Sequence, residues 1–391
     1  MDHLKAGNGI IKYIKRSGPV TFARYMELAL YHPEEGYYMR DGEKIGAGGD
    51  FYTSPDVSAL FGRALADQLM EMWEAAGRPF RWVVLEQGAG KGSLARDMLE
   101  YIAVRHIDFN SALSYLIIEK SPSMRRLQER NLSGAGCPGG GVEWLNGLEE
   151  IGRGQLSGCI FSNELLDAFP VHRVILEDGV LKEIWVSCQG EKLVEFAGRL
   201  STPDLAEYMS GFGIDLEEGQ SIEINLAVRR WVKEVARVLG CGFVVTIDYG
   251  DTSAGLYTPD RPAGTIRSFR SHRIEDSLYE DPGSSDITAH VNFTALMTWG
   301  REEGLEEAGY TTQSRFLMNM GIMEHLSPPD PALGFDPEYI KNVAAVKQLV
   351  MPGGMGEVFK VAAQYRGFDL RPALTGFGNK TLLRAGWTGK R

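Results

Sequence analysis

The sequence predicts an α/β protein with a mostly parallel sheet that is covered by helices on both faces. Between residues 81 and 170, short apolar runs alternate with helix-like segments, which is typical of parallel strands joined by crossover helices. The same pattern returns at residues 227–250, where an amphipathic segment precedes another apolar run. The chain has 391 residues, enough for about two to three domain-sized units.

The first 80 residues predict a helical N-terminal segment. Apolar residues at 10–14 and 21–30 indicate two short helices, and Thr21 is a suitable N-cap for the second. Residues 57–76 predict a longer helix with one apolar face. That face consists of Leu60, Phe61, Leu65, Leu69 and Trp73.

A glycine-rich loop, residues 46–55, lies inside this N-terminal segment. We expect it to close as a lid over a bound ligand, with Asp50 and Tyr52 reaching the ligand. The alternative is a structural loop in which the aspartate caps a turn.

The first half of the core, residues 81–170, contains predicted strands and helices in alternation. The strands are at residues 82–86, 115–119, 142–145 and 159–162, and the helices are at residues 93–104 and 124–131. Most of these strands are short apolar runs, as expected for strands buried on both faces.

Residues 171–226 predict a β insertion, because Asp178-Gly179 between two apolar runs is a strong hairpin signal. The core continues at residues 227–250, with a helix at 227–239, Gly240 as its C-cap and a buried strand at 243–250. Residues 251–335 predict loops and helices around a substrate cleft. Residues 336–391 predict C-terminal core strands and a tail, with a strand at 358–363.

Composition excludes several classes of function. The chain has 41 Lys and Arg against 52 Asp and Glu, a net charge of −11, which argues against a non-specific nucleic-acid binder. Its four cysteines are far apart, so neither a zinc site nor a disulfide scaffold is predicted, and no metal is expected. We expect no membrane insertion, because no apolar run reaches about 18 residues. Without a signal or transit peptide, the expected location is cytoplasmic.

The strongest motif is Glu86-Gln87-Gly88-Ala89-Gly90-Lys91-Gly92-Ser93, which follows a predicted strand and begins a helix. Glycines at this place allow a sharp turn and a close approach of the backbone to a ligand. Their spacing is neither the pyrophosphate fingerprint nor a nucleotide P-loop. The alternative is a turn that only packs strand against helix.

An acid at the end of the next strand makes the motif more specific. Glu119 stands where such folds place a carboxylate for ribose hydroxyls, although a solvated glutamate is the alternative. A glutamate before a glycine triplet, followed by this acid, is typical of class I S-adenosylmethionine methyltransferases. We therefore predict S-adenosyl-L-methionine as the cofactor, with Glu86 near its cationic amino-acid end and Gly88, Gly90 and Gly92 beneath it.

The candidate catalytic residues are Asn163, Glu164 and Asp167, which follow the fourth predicted strand. Ligands bind beyond the carboxyl ends of parallel strands. Two carboxylates three residues apart can bind the planar guanidinium of an arginine and accept its proton. The alternative is a helix-terminal charge at Asp167 and a solvated Glu164.

Four further residues are candidates for contact with the substrate: Asp248, Tyr249, His172 and His290. The first two end the fifth strand at the same edge of the sheet. The alternative for Asp248 and Tyr249 is a strand end with a glycine turn. For the histidines it is a hydrogen-bonded structural role.

The motifs as a set resemble the MidA-type methyltransferases, from about residue 8 to about residue 363. They are Gly49-Asp50-Phe51-Tyr52-Thr53-Ser54-Pro55, Phe61-Gly62, Glu86 to Leu94, Ile118 to Pro122, Gln128, Asn163 to His172, Ile247 to Gly250, Gly264-Thr265, His272, Asp286 to Phe293, Gly354 to Gly356 and Phe359-Lys360. The chain departs from the family pattern at Ala89, where proline is usual, and at Met351, where glycine is usual. Neither departure removes a chemical group.

The resemblance implies a class I, Rossmann-like, seven-stranded methyltransferase sheet. A helical N-terminal segment and β and helical insertions would form its substrate cleft. It implies symmetric dimethylation of a protein arginine, in a 49-kDa-type subunit of respiratory complex I, and a role in assembly of that complex. A small-molecule O- or N-methyltransferase and a non-catalytic assembly chaperone are the alternatives. The oligomeric state is not predicted.

Overall fold

The computed structural model describes residues 8–40, 58–135, 141–270, 273–275, 277–329 and 336–378. The predicted lid residues, Asp50 and Tyr52, lie outside these ranges. In chain order the helices are α1 (Asn8–Ser17), α2 (Phe22–Tyr31), α3 (Ala59–Ala75), α4 (Ser93–Arg105), α5 (Ile107–Ala112), α6 (Pro122–Asn131), α7 (Asp204–Gly211), α8 (Leu226–Val238), α9 (Ser253–Leu256), α10 (Phe293–Glu302), α11 (Gln313–Asn319), α12 (Pro337–Val350) and α13 (Met355–Val358).

The strands belong to three sheets. In chain order they are β1 (Val20–Thr21), β2 (Trp82–Gln87), β3 (Leu113–Ile118), β4 (Val142–Leu145), β5 (Leu156–Asn163), β6 (His172–Glu177), β7 (Val180–Gln189), β8 (Lys192–Gly198), β9 (Ser221–Ile224), β10 (Leu239–Asp251), β11 (Arg267–Arg270), β12 (Arg273–Ile274), β13 (Asp286–Thr288), β14 (Val291–Asn292), β15 (Glu306–Thr312) and β16 (Phe359–Arg366).

The main sheet has the strand order β15-β16-β10-β5-β2-β3-β4, and β14 pairs with the end of β10. The pairs from β10 to β4 are parallel, whereas β16 is antiparallel to both of its neighbours. The predicted α/β class with a mostly parallel sheet is therefore confirmed. Eight strands, rather than the expected seven, belong to this sheet within the described residues, because the two-residue β14 extends it beside β10.

Separate apolar clusters cover the two faces of the main sheet. On one face, the predicted stripe of α3 is buried together with residues of α4, and Leu69 is fully inaccessible to solvent. On the other face, α8 and α10 pack through Trp231, Val235 and Trp299. Burial on both faces explains why the central strands consist of nearly continuous apolar residues.

The predicted hairpin is present in the second sheet, which has the order β1-β7-β6-β9 with β8 on β7. Asp178 and Gly179 join β6 to β7 with φ angles of 55° and 69°, and both signs match the turn type that suits a two-residue hairpin. The helices α1 and α2 share an apolar cluster with this sheet. A third, small sheet has the order β12-β11-β13.

The sequence predicted two helix caps, of which one is present and one is not. Thr21 is the N-cap of α2, and its Oγ1 accepts a hydrogen bond from the backbone N–H of Arg24 at 3.2 Å. The prediction for Gly240 is wrong, because α8 ends at Val238 and the chain enters β10 at once. Glycine is needed there for packing: a Cβ at residue 240 would lie 2.3 Å from the carbonyl oxygen of Gly154.

Within the described residues, none of the helices combines the length and the apolar character needed to cross a membrane.

Candidate active site at the carboxyl ends of the parallel strands

A cavity of about 1190 Å³ lies at the carboxyl ends of β2, β3 and β5. Its walls include many of the residues that the sequence predicts for function: Glu86, Gly88, Gly90, Glu119, Asn163, Glu164, Asp167, His172 and Tyr249. Acidic side chains outnumber basic ones along its walls. The acids are Glu27, Glu86, Glu119, Glu149, Glu164, Asp167, Glu234 and Asp286, and the bases are Arg24, Lys91, Lys120 and Arg230. Such a cavity favours a cationic ligand.

The glycine loop between β2 and α4 depends on left-handed backbone. Gly88, Gly90 and Gly92 have φ angles of 73°, 53° and 79°, which other residues adopt at a cost. A Cβ at Gly88 would also lie 3.0 Å from the side chain of Leu165. Gly92 lies behind the cavity wall as the N-cap of α4. At Gly88 and Gly90, the loop therefore brings backbone rather than side chains to the cavity.

Glu86 is the one acidic residue at the end of β2, and it is 2% exposed. The hydroxyl of Tyr115, on the adjacent strand β3, donates a hydrogen bond of 2.6 Å to its Oε2. Burial raises the pKa of Glu86 to about 7, although this hydrogen bond lowers it. A cation in the cavity would favour the ionised carboxylate of Glu86.

Glu119 is held in place by a small network that also fixes the glycine loop. Its Oε1 accepts the backbone N–H of Ser121 at 2.7 Å, and its Oε2 accepts Nε2 of Gln128 at 3.0 Å. The same Nε2 donates to the carbonyl of Gly90 at 2.8 Å, while Nε1 of Trp144 donates to Oε1 of Gln128 at 2.9 Å. Gln128 is fully buried. Sequence reasoning gave it no role, although its place in the family motifs marked it.

The turn after β5 brings the predicted catalytic residues together. Glu164 has a φ angle of 54°, a strained conformation for glutamate. Its Oε1 accepts a hydrogen bond from Nδ2 of Asn163 at 3.0 Å, and its Oε2 accepts one from the hydroxyl of Tyr249 at 3.3 Å. These contacts hold the carboxylate against the cavity wall.

Asp248 maintains this turn from below, and the structure does not place it on the cavity wall. It is completely buried, and its Oδ2 accepts the backbone N–H groups of Leu165 and Leu166 at 3.2 and 2.9 Å. Its Oδ1 accepts the N–H of Tyr249 at 2.9 Å. Burial raises its pKa to about 7 against the effect of these bonds. Asp248 therefore positions the turn, and its predicted contact with substrate stays a prediction.

Asp167 is the most unusual carboxylate of the site. It is 4% exposed, and its Oδ1 has no hydrogen-bond partner within the described part of the chain. Burial, followed by the charges of Asp248, Asp286 and Glu164, raises its pKa well above the ordinary value. A buried acceptor without a partner is costly unless a ligand satisfies it.

Three cavity residues that the sequence did not predict lie close to Asp167. The hydroxyl of Tyr38 donates to Oδ1 of Asp286 at 2.8 Å, and the hydroxyl of Tyr31 donates to the carbonyl of Ala168 at 3.0 Å. The rings of Tyr31 and Tyr38 stack with centroids 5.5 Å apart. The signal for Asp286 was its position in a family motif. The tyrosines lie more than 200 residues earlier, where no local pattern marks them.

The two histidines have mainly structural partners. Nδ1 of His172 lies 2.7 Å from Oε1 of Glu183, which is fully buried, although the ring still lines the cavity. His290 stacks against Tyr249 with ring centroids 6.2 Å apart and does not line the cavity. Burial lowers the pKa of His290 to about 4, so it is neutral at pH 7. His290 therefore supports the ring of Tyr249, and its predicted contact with substrate stays a prediction.

Comparison with known proteins identifies the family of the chain. Residues 64–311 match a family model described as S-adenosyl-L-methionine-dependent methyltransferase. The chain belongs to this family. The match contains β2, the glycine loop, Glu119 and the turn after β5, and thus many of the residues that line the cavity.

Relatives with solved structures or curated descriptions match nearly the whole length of the chain. A protein from Burkholderia thailandensis, whose crystal structure contains S-adenosyl-homocysteine, is 33% identical with a TM-score of 0.85, over 95% of this chain and 94% of that one. The mitochondrial protein arginine methyltransferase NDUFAF7 of Danio rerio is 29% identical over 88% of this chain and 83% of its own length. Its Drosophila melanogaster homologue is 29% identical over 90% and 83%.

The residues around the glycine loop fit S-adenosylmethionine. Glu86 would offer a buried carboxylate to the cationic amino acid, Glu119 would offer a second carboxylate to the ribose hydroxyls, and the glycines would leave space for the cofactor. When bound, the cofactor supplies an electrophilic methyl group on a positively charged sulfonium.

Within the described residues, no group of three or more His, Cys, Asp or Glu side chains is arranged to hold a metal ion.

Proposed function

We propose that this methyltransferase transfers methyl groups to the guanidinium of a protein arginine. The observation that carries the proposal is Oδ1 of Asp167, a buried acceptor that lacks a hydrogen-bond partner among the described residues. Asn163 also lines the cavity, and its Oδ1 likewise lacks a hydrogen-bond partner among the described residues. A guanidinium has five N–H donors in one plane and satisfies such acceptors together with the carboxylate of Glu164.

The chain's own residues would orient the acceptor and move its proton. Glu164 is fixed by Asn163 and Tyr249, and it accepts N–H groups from one side of the guanidinium. Asp167 accepts from the other side and draws the positive charge away from the reacting nitrogen. Because its pKa is raised, Asp167 is suited to accept the proton that this nitrogen loses on methylation. Orientation of the nitrogen toward the methyl group is the main catalytic contribution expected.

The finer assignments also belong to this proposal. The curated relatives are named protein arginine methyltransferases, which supports a protein acceptor. We propose a 49-kDa-type complex I subunit as that acceptor, symmetric dimethylarginine as the product and a role in complex I assembly. We likewise propose that the seven continuous strands of the main sheet are the class I methyltransferase sheet. The cytoplasmic location stays a prediction.

The test uses isotope-labelled S-adenosylmethionine and a purified 49-kDa-type subunit, with tandem mass spectrometry of the product. We expect label on an arginine nitrogen. Glu164→Gln should slow single-turnover transfer by at least about tenfold, equivalent to about 1.4 kcal/mol in the barrier, while its affinity for the cofactor stays near wild type.

The matched control is Glu143→Gln, the same change at an exposed position of β4, which should transfer at the wild-type rate. Label on a small molecule of a cell extract, with none on arginine, would favour the small-molecule alternative. Cofactor binding without any transfer would favour the assembly chaperone. Full turnover in Glu164→Gln would exclude the guanidinium clamp.

A further inference from the structure

A third carboxylate lies against the turn that carries Glu164 and Asp167, although it comes from a remote part of the chain. Asp286 begins β13, is 3% exposed and lines the same cavity. The backbone N–H of Ala289, just after β13, donates to the carbonyl of Asp167 at 3.0 Å. The charge of Asp286 contributes to the raised pKa of Asp167. The two carboxylates are therefore neighbours in a poorly solvated space.

Further acidic groups and tyrosines of the described residues face this pair. From the turn itself comes Glu164, and from β10 come Asp248 and Tyr249. Tyr31, the last residue of α2, and Tyr38, which follows α2, also face it. Their pKa values are raised first by burial and then by nearby acids that include Asp286 and Asp167. Arg24 and Glu27 of α2 also line the cavity, but they pair with each other at 2.7 Å.

We propose that Asp286 is a further acceptor-binding residue: it encloses the cationic group of the acceptor together with Glu164 and Asp167, and entry of that cation releases a proton from the three carboxylates. The inference rests on the proposed function, because it takes the acceptor to be a guanidinium. Oδ1 of Asp167 has no hydrogen-bond partner among the residues that the structure describes, which points to a donor-rich ligand at this place.

The physical reason for proton release is the crowding of like charges. Burial, followed by the charges of Asp248, Asp286 and Glu164, raises the pKa of Asp167, so this group of carboxylates retains a proton in the free enzyme. A guanidinium favours the ionised forms and displaces that proton. The affinity for a cationic acceptor should then rise with pH, by up to about tenfold per pH unit for one proton released.

A further consequence concerns the choice of acceptor. A planar cation with donors on several edges can satisfy carboxylates that approach from the β5 turn and from β13, whereas a neutral group of the same shape leaves them unpaired. Asp286 would thus help to select a charged guanidinium over a neutral acceptor.

The experiment uses the full chain saturated with S-adenosylhomocysteine and two probes of the same shape. N-acetyl-arginine amide carries the guanidinium, and N-acetyl-citrulline amide is its neutral analogue. Dissociation constants are measured by NMR titration at pH 6, 7 and 8. We expect the arginine probe to bind at least ten times more tightly than the citrulline probe at pH 8, and its affinity alone to increase with pH.

Asp286→Asn should lower the affinity for the arginine probe at least tenfold at pH 8 and flatten its pH dependence. The matched control is Asp281→Asn, the same change five residues earlier at a partly exposed aspartate with a φ angle of 47°, which asparagine tolerates. It should behave as wild type. Tyr38→Phe, which removes the hydroxyl that donates to Asp286, should move the rise in affinity to higher pH.

The outcomes separate the two proposals. Equal affinity for both probes in wild type, or binding of neither, would count against a guanidinium acceptor and so against the proposed function itself. A clear preference for arginine, with the same affinity and pH slope in Asp286→Asn, would overturn only the role of Asp286. If Asp286→Asn does not fold, a pH-independent affinity of the wild-type enzyme or an unshifted profile in Tyr38→Phe would overturn the inference as well.

Discussion

The carboxylates at the two ends of the cavity have different surroundings. At the cofactor end, defined by Glu86, Glu119 and the glycine loop, each carboxylate has a neutral hydrogen-bond donor: Tyr115 for Glu86, and Ser121 and Gln128 for Glu119. At the acceptor end, defined by Asn163, Glu164, Asp167 and Asp286, neutral donors also reach Glu164 and Asp286. However, burial and the nearby acids raise the pKa of Asp167, and two buried oxygens lack partners among the described residues. The first end is organised before a ligand arrives, whereas the proposed cationic acceptor would complete the second.

The largest expected effect tests whether the cofactor end depends on its backbone. Gly90→Val should weaken cofactor binding by at least about 100-fold, because valine disfavours a φ angle of 53° and its side chain occupies the cavity. Calorimetry with S-adenosylmethionine measures the loss. The matched control is Gly134→Val, at a φ angle of 94° with open space around it and outside the cavity walls. Equal cofactor affinity in both variants would mean that the loop is only a packing turn.

A smaller effect tests the network around Glu119. Glu119→Ala should weaken cofactor binding by about 1.5–3 kcal/mol, the range for hydrogen bonds to charged groups. Transfer from saturating cofactor should change little, since Glu119 lies at the opposite end from the acceptor. Calorimetry and single-turnover rates give the two values. An unchanged dissociation constant would move the ribose contact to another residue.

Comparison of two neighbouring aspartates should sharpen the difference between positioning and ligand binding. Asp248→Ala leaves the N–H groups of Leu165, Leu166 and Tyr249 without their acceptor, at a cost of about 1–3 kcal/mol for an unsatisfied buried group. Asp167→Ala should cost less, because one of its oxygens has no partner to lose within the described chain. Urea unfolding at pH 7 provides both free energies. The reverse order would contradict the assigned roles.

The smallest effect concerns pH. The pKa of Asp167 is raised by folding, so the folded state binds its proton more tightly than the unfolded state does. This contribution to the stability of the cofactor-free protein is complete below the ordinary carboxyl value near 4 and decreases as pH rises. Asp167→Asn should therefore lose less stability than wild type between pH 5 and pH 8. Melting temperatures across this range test the slope, and parallel profiles would contradict the direction of the shift.

The strand–turn–helix unit around the glycine loop could be predicted from the sequence because its information is local. The residues from Glu86 to Gly92 stand in one strand–turn–helix unit, and Glu119 ends the next strand. The register between β2 and β3 then brings these parts together. Such spacing can be recognised without knowledge of the rest of the fold.

The acceptor end was only partly predictable, because long-range contacts complete it. The predicted turn from Asn163 to Asp167 is present, but the role of Asp248 as its buried support follows only from the pairing of β10 with β5. Tyr38 and Asp286 are 248 residues apart. No periodicity or spacing within either segment indicates that their side chains meet.

The hydrogen bond between Tyr38 and Asp286 also has a consequence for the order in which the protein is made. The side-chain hydrogen bonds described above for Glu86, Glu119 and Gln128 come from residues no later than Trp144. The acceptor end lacks a wall until residue 286 has left the ribosome, about 140 residues later in synthesis. A nascent chain would thus acquire the elements that recognise the methyl donor well before those that recognise the acceptor, and premature termination between them would produce a fragment without a complete acceptor pocket.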